Sequence, residues 1–223
     1  GWIPPRWTFD NYSGVVQAFA FVRYYVNSLF ISVVVTVVQV ATSVLAAYAF
    51  ARLEFRGRDA LFLGYLATMM IPADVLMIPQ FVLMKKIPEW LNTALTTDYF
   101  SGFLYFGSHY VGHPVGLDSF FALIVPGCFS AYGTFMLRQF LLSISKEIEE
   151  AALIDGCSAW GVFWHVVVPL SMPALSALAI FTFLGRWRAF MWPLIMSESD
   201  AMMVLPVGLQ KLSDLYVNDY GLI

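Results

Sequence analysis

Between two long apolar segments, the chain reads Glu150-Ala151-Ala152-Leu153-Ile154-Asp155-Gly156, a short polar island. Ser145 precedes the island and can cap the start of a helix. Several glutamates then fall in the first turns, where the positive end of the helix dipole stabilises carboxylates. The paired alanines give this helix a low-relief face that another protein can approach closely. Because glycine readily adopts the left-handed conformation that ends many helices, we predict that the helix stops at Gly156.

A second short helix is predicted directly after the island. Ser158 can cap a helix from Ala159 to Val168, and Pro169 stops it because proline lacks the backbone N–H that a helix interior needs. We call residues 143–168 the elbow. A helix–glycine–helix element at a membrane surface suits the transfer of mechanical force between a membrane domain and a soluble partner.

The elbow resembles part of a known family. Its order of Glu-Ala-Ala, three residues, Gly and a downstream Pro is similar to the cytoplasmic coupling loop of binding-protein-dependent ABC importer permeases. The closer similarity is to the carbohydrate-type branch, with its maltose and glycerol-phosphate permeases, and there to the smaller maltose-type subunit. The resemblance begins at about Tyr12 and runs to the C-terminus. It rests on further blocks in the same order: Asn27-Ser28-Leu29, Ala47-Tyr48-Ala49-Phe50-Ala51-Arg52, Ile71-Pro72, Ile78-Pro79, Leu137-Arg138-Gln139-Phe140, Trp187 and Trp192-Pro193-Leu194.

The resemblance implies that the elbow couples the permease to an ATPase. The residues to which it assigns this role are Glu150, Ala151, Ala152, Asp155, Gly156 and Pro169. The alanines would contact a cleft on the ATPase subunit, and Glu150 would meet a basic group there. The implied partners are an ABC ATPase dimer, a sister permease, an extracytoplasmic solute-binding protein and membrane lipid. The implied location is the cytoplasmic (inner) membrane of a bacterium or archaeon, which the chain would cross several times.

Composition indicates a membrane protein independently of the resemblance. The chain is 60% hydrophobic and 12% charged, with a mean hydropathy of +0.73. A net charge of −3 offers no basic field for nucleic acid. Cys128 lies in an apolar segment and Cys157 in the polar island, so we expect neither a disulfide nor a metal framework.

Four segments are near the ~20 residues that a helix needs to cross a bilayer. Because backbone groups in lipid must be paired within the segment, we predict an all-α polytopic membrane bundle that forms a single domain over residues 1–223. The predicted spans are residues 24–50, 60–84, 119–142 and 170–196.

The resemblance also implies that two spans of the family's six-span core are absent. The segment 7–17 is similar to the external strip after the family's first span. The tail 205–223 is similar to the external region before its last span. We therefore expect one missing span at each end of this sequence.

Charge favours one orientation of the bundle. The loop 52–59 carries Arg52, Arg56 and Arg58, which the positive-inside rule places in the cytoplasm. Two spans further along the chain, the elbow falls on the same side. The opposing signals are Lys85 and Lys86, which would then lie outside, and the acidic elbow itself.

Prolines at positions 72 and 79 are each expected to bend or break the second span, and Asp74 lies between them. An acidic group within a bilayer is costly unless it faces protein or water. One interpretation is a bent helix that lines a transport path, with Asp74 facing water or solute. The other is that Asp74 lies near the outer interface and is simply solvated.

The fourth span carries Arg186, Trp187 and Arg188. Positions two apart on a helix differ by about 200°, so the two guanidinium groups would point to different sides. Arg188 could line the path and bind hydroxyls or an anionic group, or it could form a structural pair with Asp74 or with an acid of a sister subunit. In the family, Asn commonly follows this Trp, and Arg188 departs from that pattern.

The external loop 89–118 is long and contains His109 and His113, whose spacing would suit a metal pair only on a helix. Gly, Tyr and Pro114 around them argue against a helix and hence against zinc. The loop either shapes the contact with a binding protein or is a family-specific insertion.

The motifs of catalysis are missing from the sequence. There is no Gly-x-x-x-x-Gly-Lys-Ser/Thr phosphate loop, no His-Glu-x-x-His and no Gly-x-Ser-x-Gly. We therefore predict a transporter subunit that has no cofactor and does not itself hydrolyse ATP. The solute implied by the family branch is a sugar or sugar-like molecule. The alternatives are a channel or secondary transporter with Asp74 as coupling acid, or an intramembrane enzyme that uses Asp74 with Arg188; both leave the elbow unexplained.

Overall fold

The computed structural model of the chain describes residues 20–96, 104–106 and 109–215. The segment 7–17 and residues 216–223 of the tail therefore lie outside the described residues. The described chain is mainly helical, which confirms the predicted all-α class. The α-helices are α1 Phe21–Arg52, α2 Arg58–Ala67, α3 Ala73–Leu95, α4 Phe120–Ile124, α5 Ala131–Ser143, α6 Lys146–Ile154, α7 Ala159–Val162, α8 Val168–Leu170, α9 Met172–Trp187, α10 Met191–Met196 and α11 Leu205–Leu215.

Two helical segments of the described chain are each long and apolar enough to cross a membrane. They are α1, with 32 residues, and the stretch Phe120–Ser143, with 24 residues, which joins α4 to α5 through a 3₁₀ turn. α1 is continuous and satisfies its backbone groups internally, as lipid requires, whereas residues 128–130 separate the 3₁₀ turn from α5 in the second segment. These two segments match the first and third predicted spans.

The second predicted span is sharply bent. The axes of Arg58–Met70 and Ala73–Leu95 meet at 98°. Ile71, directly before Pro72, has an extended backbone with φ −85° and ψ 118° because a following proline disfavours the helical conformation. Pro79 and Pro88 lie inside α3. The helix is therefore broken at Pro72, and the interruption expected at Pro79 is absent.

The fourth predicted span is also divided. α9 ends at Trp187, and α10 begins only at Met191. At its start, α9 meets the helical stretch Ala159–Leu170 at 71°. By length and composition, the described chain can cross a membrane two times, or up to four times if each bent pair acts as one span.

The loop 89–118 contains secondary structure that the sequence did not indicate. Strands β1 Leu104–Phe106 and β2 His109–Gly112 pair antiparallel, with Tyr105 opposite Tyr110 and a register shift beside it. Since His109 lies in a strand, it cannot form the helical i, i+4 pair with His113.

The chain divides into two compact units. The described part of the first comprises residues 20–31, 77–123 and 186–215. A buried carboxylate organises this unit. Asp118 Oδ1 accepts hydrogen bonds from the backbone N–H groups of Glu198 and Ser199, both at 2.9 Å, and the Asp118 N–H donates to the Met196 carbonyl at 2.8 Å. Asn27 of α1 donates to the carbonyls of residues 201 and 203 at 2.8 and 2.9 Å.

The second unit comprises residues 32–76 and 124–185 and contains the elbow. Its core joins α1, α5, α9 and the elbow through buried apolar side chains. The largest of those that are almost fully buried are Leu137, Leu141, Phe163, Val167 and Leu178. The core thus fixes the base of the elbow on three long helices.

Candidate functional site

The first helix of the elbow, α6, begins and ends as the sequence predicts. The Ser145 hydroxyl accepts a hydrogen bond from the Glu147 N–H at 3.2 Å. Gly156 has φ +90°, and its N–H donates to the Leu153 carbonyl at 3.1 Å. The N–H of Cys157 donates to the Ala152 carbonyl at 3.0 Å. This paired pattern is a Schellman motif, which requires a left-handed residue at its centre.

The second helix of the elbow is longer than predicted. The Ser158 hydroxyl accepts from the Gly161 N–H at 3.1 Å, which confirms its role as a cap. After α7, a π turn spans Phe163–Val167, and helical structure continues through Pro169 to Leu170. The predicted stop at Pro169 is wrong. The π turn shifts the hydrogen-bond register just before Pro169, so its missing donor does not end the helix.

The residues assigned to coupling differ in exposure. Glu150, Ala151, Asp155 and Gly156 are exposed, as is Pro169 on the second helix. Ala152 is half-buried and packs against the core, so only Ala151 of the pair belongs to the outer face. Ile154 is 86% exposed, which is unusual for a large aliphatic side chain. The outer face of α6 is therefore open, partly apolar and bordered by acidic groups.

The inner face of α6 holds an ion pair that sequence analysis missed. Arg52 Nε lies 2.5 Å from Glu149 Oε1, and the two side chains are only 6% and 11% exposed. The second guanidinium nitrogen, Nη2, donates to the Ile144 carbonyl at 2.9 Å. Glu149 and the half-buried Ala152 are three residues apart and therefore share the buried face of α6.

This pair supports the expectation that the loop 52–59 and the elbow lie on the same side. A second contact joins α1 to the elbow, since the rings of Tyr48 and Phe163 meet edge-on with centroids 5.1 Å apart. Beside them is an open apolar groove of about 260 Å³, lined by Leu45, Tyr48, Ala49, Leu53, Ala159, Trp160 and Phe163. The C-terminal half of α1 is thus attached to both helices of the elbow.

A second arginine anchors the start of the bent pair. Arg138 of α5 donates to the Phe50 carbonyl at 3.2 Å, and its guanidinium lies 4.2 Å from the centre of the Phe62 ring. The Phe50 and Phe62 rings are 5.2 Å apart. This cation–π contact holds α2 against the end of α1.

The candidate path residues lie at element ends. Asp74 is exposed in the first turn of α3. Arg186 is in the last turn of α9, Trp187 packs edge-on against Tyr25 at 5.5 Å, and Arg188 is exposed in the turn beyond the helix. α9 ends at Trp187, so Arg186 and Arg188 do not lie on one helix, and the expectation that they point to different sides stays a prediction.

The ion pairs of the described residues include those of Arg52 with Glu149, Arg58 with Asp59 and Lys211 with Asp200. These pairs do not include Asp74 or Arg188, and the suggested structural pair between those two residues stays a prediction. No disulfide joins Cys128, which is buried, to Cys157, which is exposed.

Comparison with known proteins identifies the family. Residues 39–217 match the family described as "Binding-protein-dependent transport system inner membrane component". The chain is 33% identical over 221 residues to "Arabinooligosaccharides transport system permease protein AraQ" of Halalkalibacterium halodurans, a match that covers 99% of this chain and 70% of the relative. It is 30% identical to the protein of the same name from Bacillus subtilis, with 99% and 69% covered.

A solved structure supports the same assignment. A chain of the "bacterial ABC transporter involved in the import of the acidic polysaccharide alginate" superposes with a TM-score of 0.76 at 27% identity, over 97% of this chain and 68% of that one. The resemblance to ABC importer permeases is thereby confirmed, and the channel and enzyme alternatives lose their support. This chain belongs to the binding-protein-dependent transport system inner membrane component family and is a permease subunit of an ABC importer.

Proposed function

We propose that the elbow couples this permease to an ATPase that supplies the energy for import. The observation that carries the proposal is the arrangement of α6, whose inner face is fixed by Glu149 while its outer face is open. Glu150 and Ala151 are exposed on that outer face, with Ile154 86% exposed beside them. Exposed apolar surface on a firmly held helix favours a protein partner.

In the proposed mechanism, the permease alternates between inward-open and outward-open states. Closure of the ATPase dimer moves the elbow, and the core that joins the elbow to α1, α5 and α9 passes the movement to the spans. Glu150 pairs with a basic group of the ATPase, while Gly156, with φ +90°, fixes the angle at which the second helix leaves.

The proposed assembly contains a sister permease, two ATPase chains that hydrolyse ATP, and an extracytoplasmic solute-binding protein. It lies in the inner membrane of a bacterium or archaeon, which this chain crosses several times. Support comes from the family description, which specifies binding-protein dependence and an inner membrane component. The four apolar segments, two of which are sharply bent helix pairs, are long enough for several crossings.

The proposed solute is a sugar or an oligosaccharide. Two relatives are named for arabinooligosaccharides, and the similar solved transporter imports an acidic polysaccharide. Arg186, Trp187 and Arg188 are the candidate path residues, since guanidinium and indole groups bind hydroxyls, carboxylates and sugar faces. Asp74, exposed after the bend, is the candidate acidic group in the path.

Substitutions in the elbow test the coupling role. We expect Glu150→Lys and Gly156→Pro to abolish uptake of labelled solute by cells while the permease still accumulates in the membrane. Gly156→Asn is the matched control, because asparagine tolerates φ +90° better than other residues and should retain uptake. Glu54→Lys places the same new charge at an exposed position outside α6 and should also retain uptake. Normal uptake by cells carrying Glu150→Lys would contradict the proposal.

A further inference from the structure

We propose that the buried ion pair between Arg52 and Glu149 is the positioning link through which displacement of the elbow moves helix α1. The inference rests on the coupling function proposed above. It assigns a role to two residues on the inner side of α6, away from the face that would meet the ATPase.

The first support is geometric. Arg52 is the last residue of α1, and its guanidinium bonds both to the Glu149 carboxylate at 2.5 Å and to the Ile144 carbonyl at 2.9 Å. Ile144 lies in the junction between α5 and α6. The Arg52 side chain therefore binds both Ile144, just before α6, and Glu149 within α6. A shift of α6 must then move Arg52 with it.

The second support is burial. Both side chains are at least 89% shielded, whereas the pair between Arg58 and Asp59 is 30% and 77% exposed at 3.1 Å. Exposed pairs exchange readily with water and transmit little force. Separation of a buried pair would leave charges without water or a partner, so the Arg52–Glu149 link stays closed as the elbow moves.

The third support is the helix to which the pair is joined. α1 is one uninterrupted helix of 32 residues, so movement at Arg52 is passed along it. The other contacts between α1 and the elbow described above, the shared core and Tyr48 on Phe163, are apolar contacts that can slide. The ion pair is directional and cannot slide. Loss of the pair should leave the elbow packed on the core but reduce its hold on α1.

The test uses the complete importer, with its ATPase, sister permease and binding protein, reconstituted in liposomes. The quantity measured is the number of solute molecules imported per ATP hydrolysed. For Glu149→Gln and Arg52→Gln we expect the ATPase to remain bound and active, and the ratio to fall about tenfold, within the range of allosteric coupling energies. Arg52→Lys should give an intermediate ratio because the ammonium keeps the charge for Glu149 but lacks the planar guanidinium that also bonds the Ile144 carbonyl.

Matched controls remove a similar charge elsewhere. Arg58→Gln breaks the exposed pair, and Glu54→Gln removes an exposed carboxylate from the neighbouring loop; both should leave the ratio unchanged. If the glutamine variants at Arg52 and Glu149 also keep the normal ratio, the inference is wrong. The inference is also wrong if import by these variants falls only as much as the amount of ATPase bound to the permease. In that case the pair only holds the elbow in place.

A milder variant keeps the test possible if the glutamine variants do not accumulate in the membrane. Glu149→Asp keeps the charge and shortens the side chain by one methylene, so it should fold while the link is loosened. A reduced ratio for Glu149→Asp supports the inference, and a normal ratio overturns it.

Glu150→Lys in the same assay separates the two proposals. If Glu150→Lys imports normally, the coupling function itself fails; if it is inactive while Glu149→Asp has a normal ratio, only the positioning link fails.

Discussion

At the scale of single residues, the elbow shows which contacts a sequence can reveal. Ser145, Ser158 and Gly156 act within three residues of themselves, so their capping roles follow from local preference. Glu149 pairs with an arginine 97 positions earlier in the chain. The sequence shows both charges, but only the packing of α6 on α1 brings them together.

Asp118 is a second residue whose role depends on distant contacts. It is buried at 2% exposure, has φ +51°, and accepts two backbone hydrogen bonds from a segment 80 positions away. Sequence analysis assigned it only to the end of a long loop. The carboxylate replaces water for two backbone N–H groups that would otherwise be unpaired.

Substitution of Asp118 by Ala should destabilise the first unit by about 2–3 kcal/mol, because buried N–H groups lose a charged acceptor. Asp118→Asn is the control: it keeps one acceptor oxygen and tolerates positive φ, so it should lose roughly half as much. The measurement is the thermal unfolding midpoint of the detergent-solubilised permease. Equal midpoints for the wild type and Asp118→Ala would show that the carboxylate does not anchor this segment.

At the scale of elements, helix existence was predicted better than helix shape. Residues 24–50 and 119–142 were recognised as spans because their apolar runs are long and continuous. Pro72 and Pro79 gave the same sequence signal, yet only Pro72 breaks the chain into a 98° bend. Local preference does not decide between them, since tertiary packing can hold a proline inside a helix.

Helices α1 and α5 pack closely at Gly133, and a substitution there can test this contact. A Cβ on Gly133 would lie 2.7 Å from Ser43 Oγ and 3.1 Å from a Leu178 methyl. We therefore expect Gly133→Ala to lower the free energy of unfolding by about 1–3 kcal/mol through overpacking. The readout is the unfolding midpoint in detergent.

A double substitution tests the cause of that loss. The Ser43 hydroxyl has no hydrogen-bond partner among the described residues, so Ser43→Ala alone should change the midpoint little. Combined with Gly133→Ala, it should restore part of the lost stability because the closest clash is removed. Additive effects of the two substitutions would argue against direct contact between α1 and α5 at this point.

At the scale of the whole molecule, composition and the ordered blocks were enough to predict a helical membrane permease. The family match over residues 39–217 and the TM-score of 0.76 confirm that prediction. The hairpin of β1 and β2 could not be foreseen, since its strands are too short to show alternation. The division of the fourth span after Trp187 was missed because the apolar run continues across it.

The proposed function of the whole molecule requires that the elbow touches an ATPase in the cytosol. The most direct measurement attaches a photo-cross-linker to Ala151→Cys in a Cys157→Ser background, with Ile180→Cys on α9 as control. In the assembled importer, we expect light to join the ATPase to the probe at position 151 and not to the probe at position 180. Absence of an ATPase adduct at position 151, or labelling of that cysteine by a membrane-impermeant reagent outside intact cells, would contradict the account.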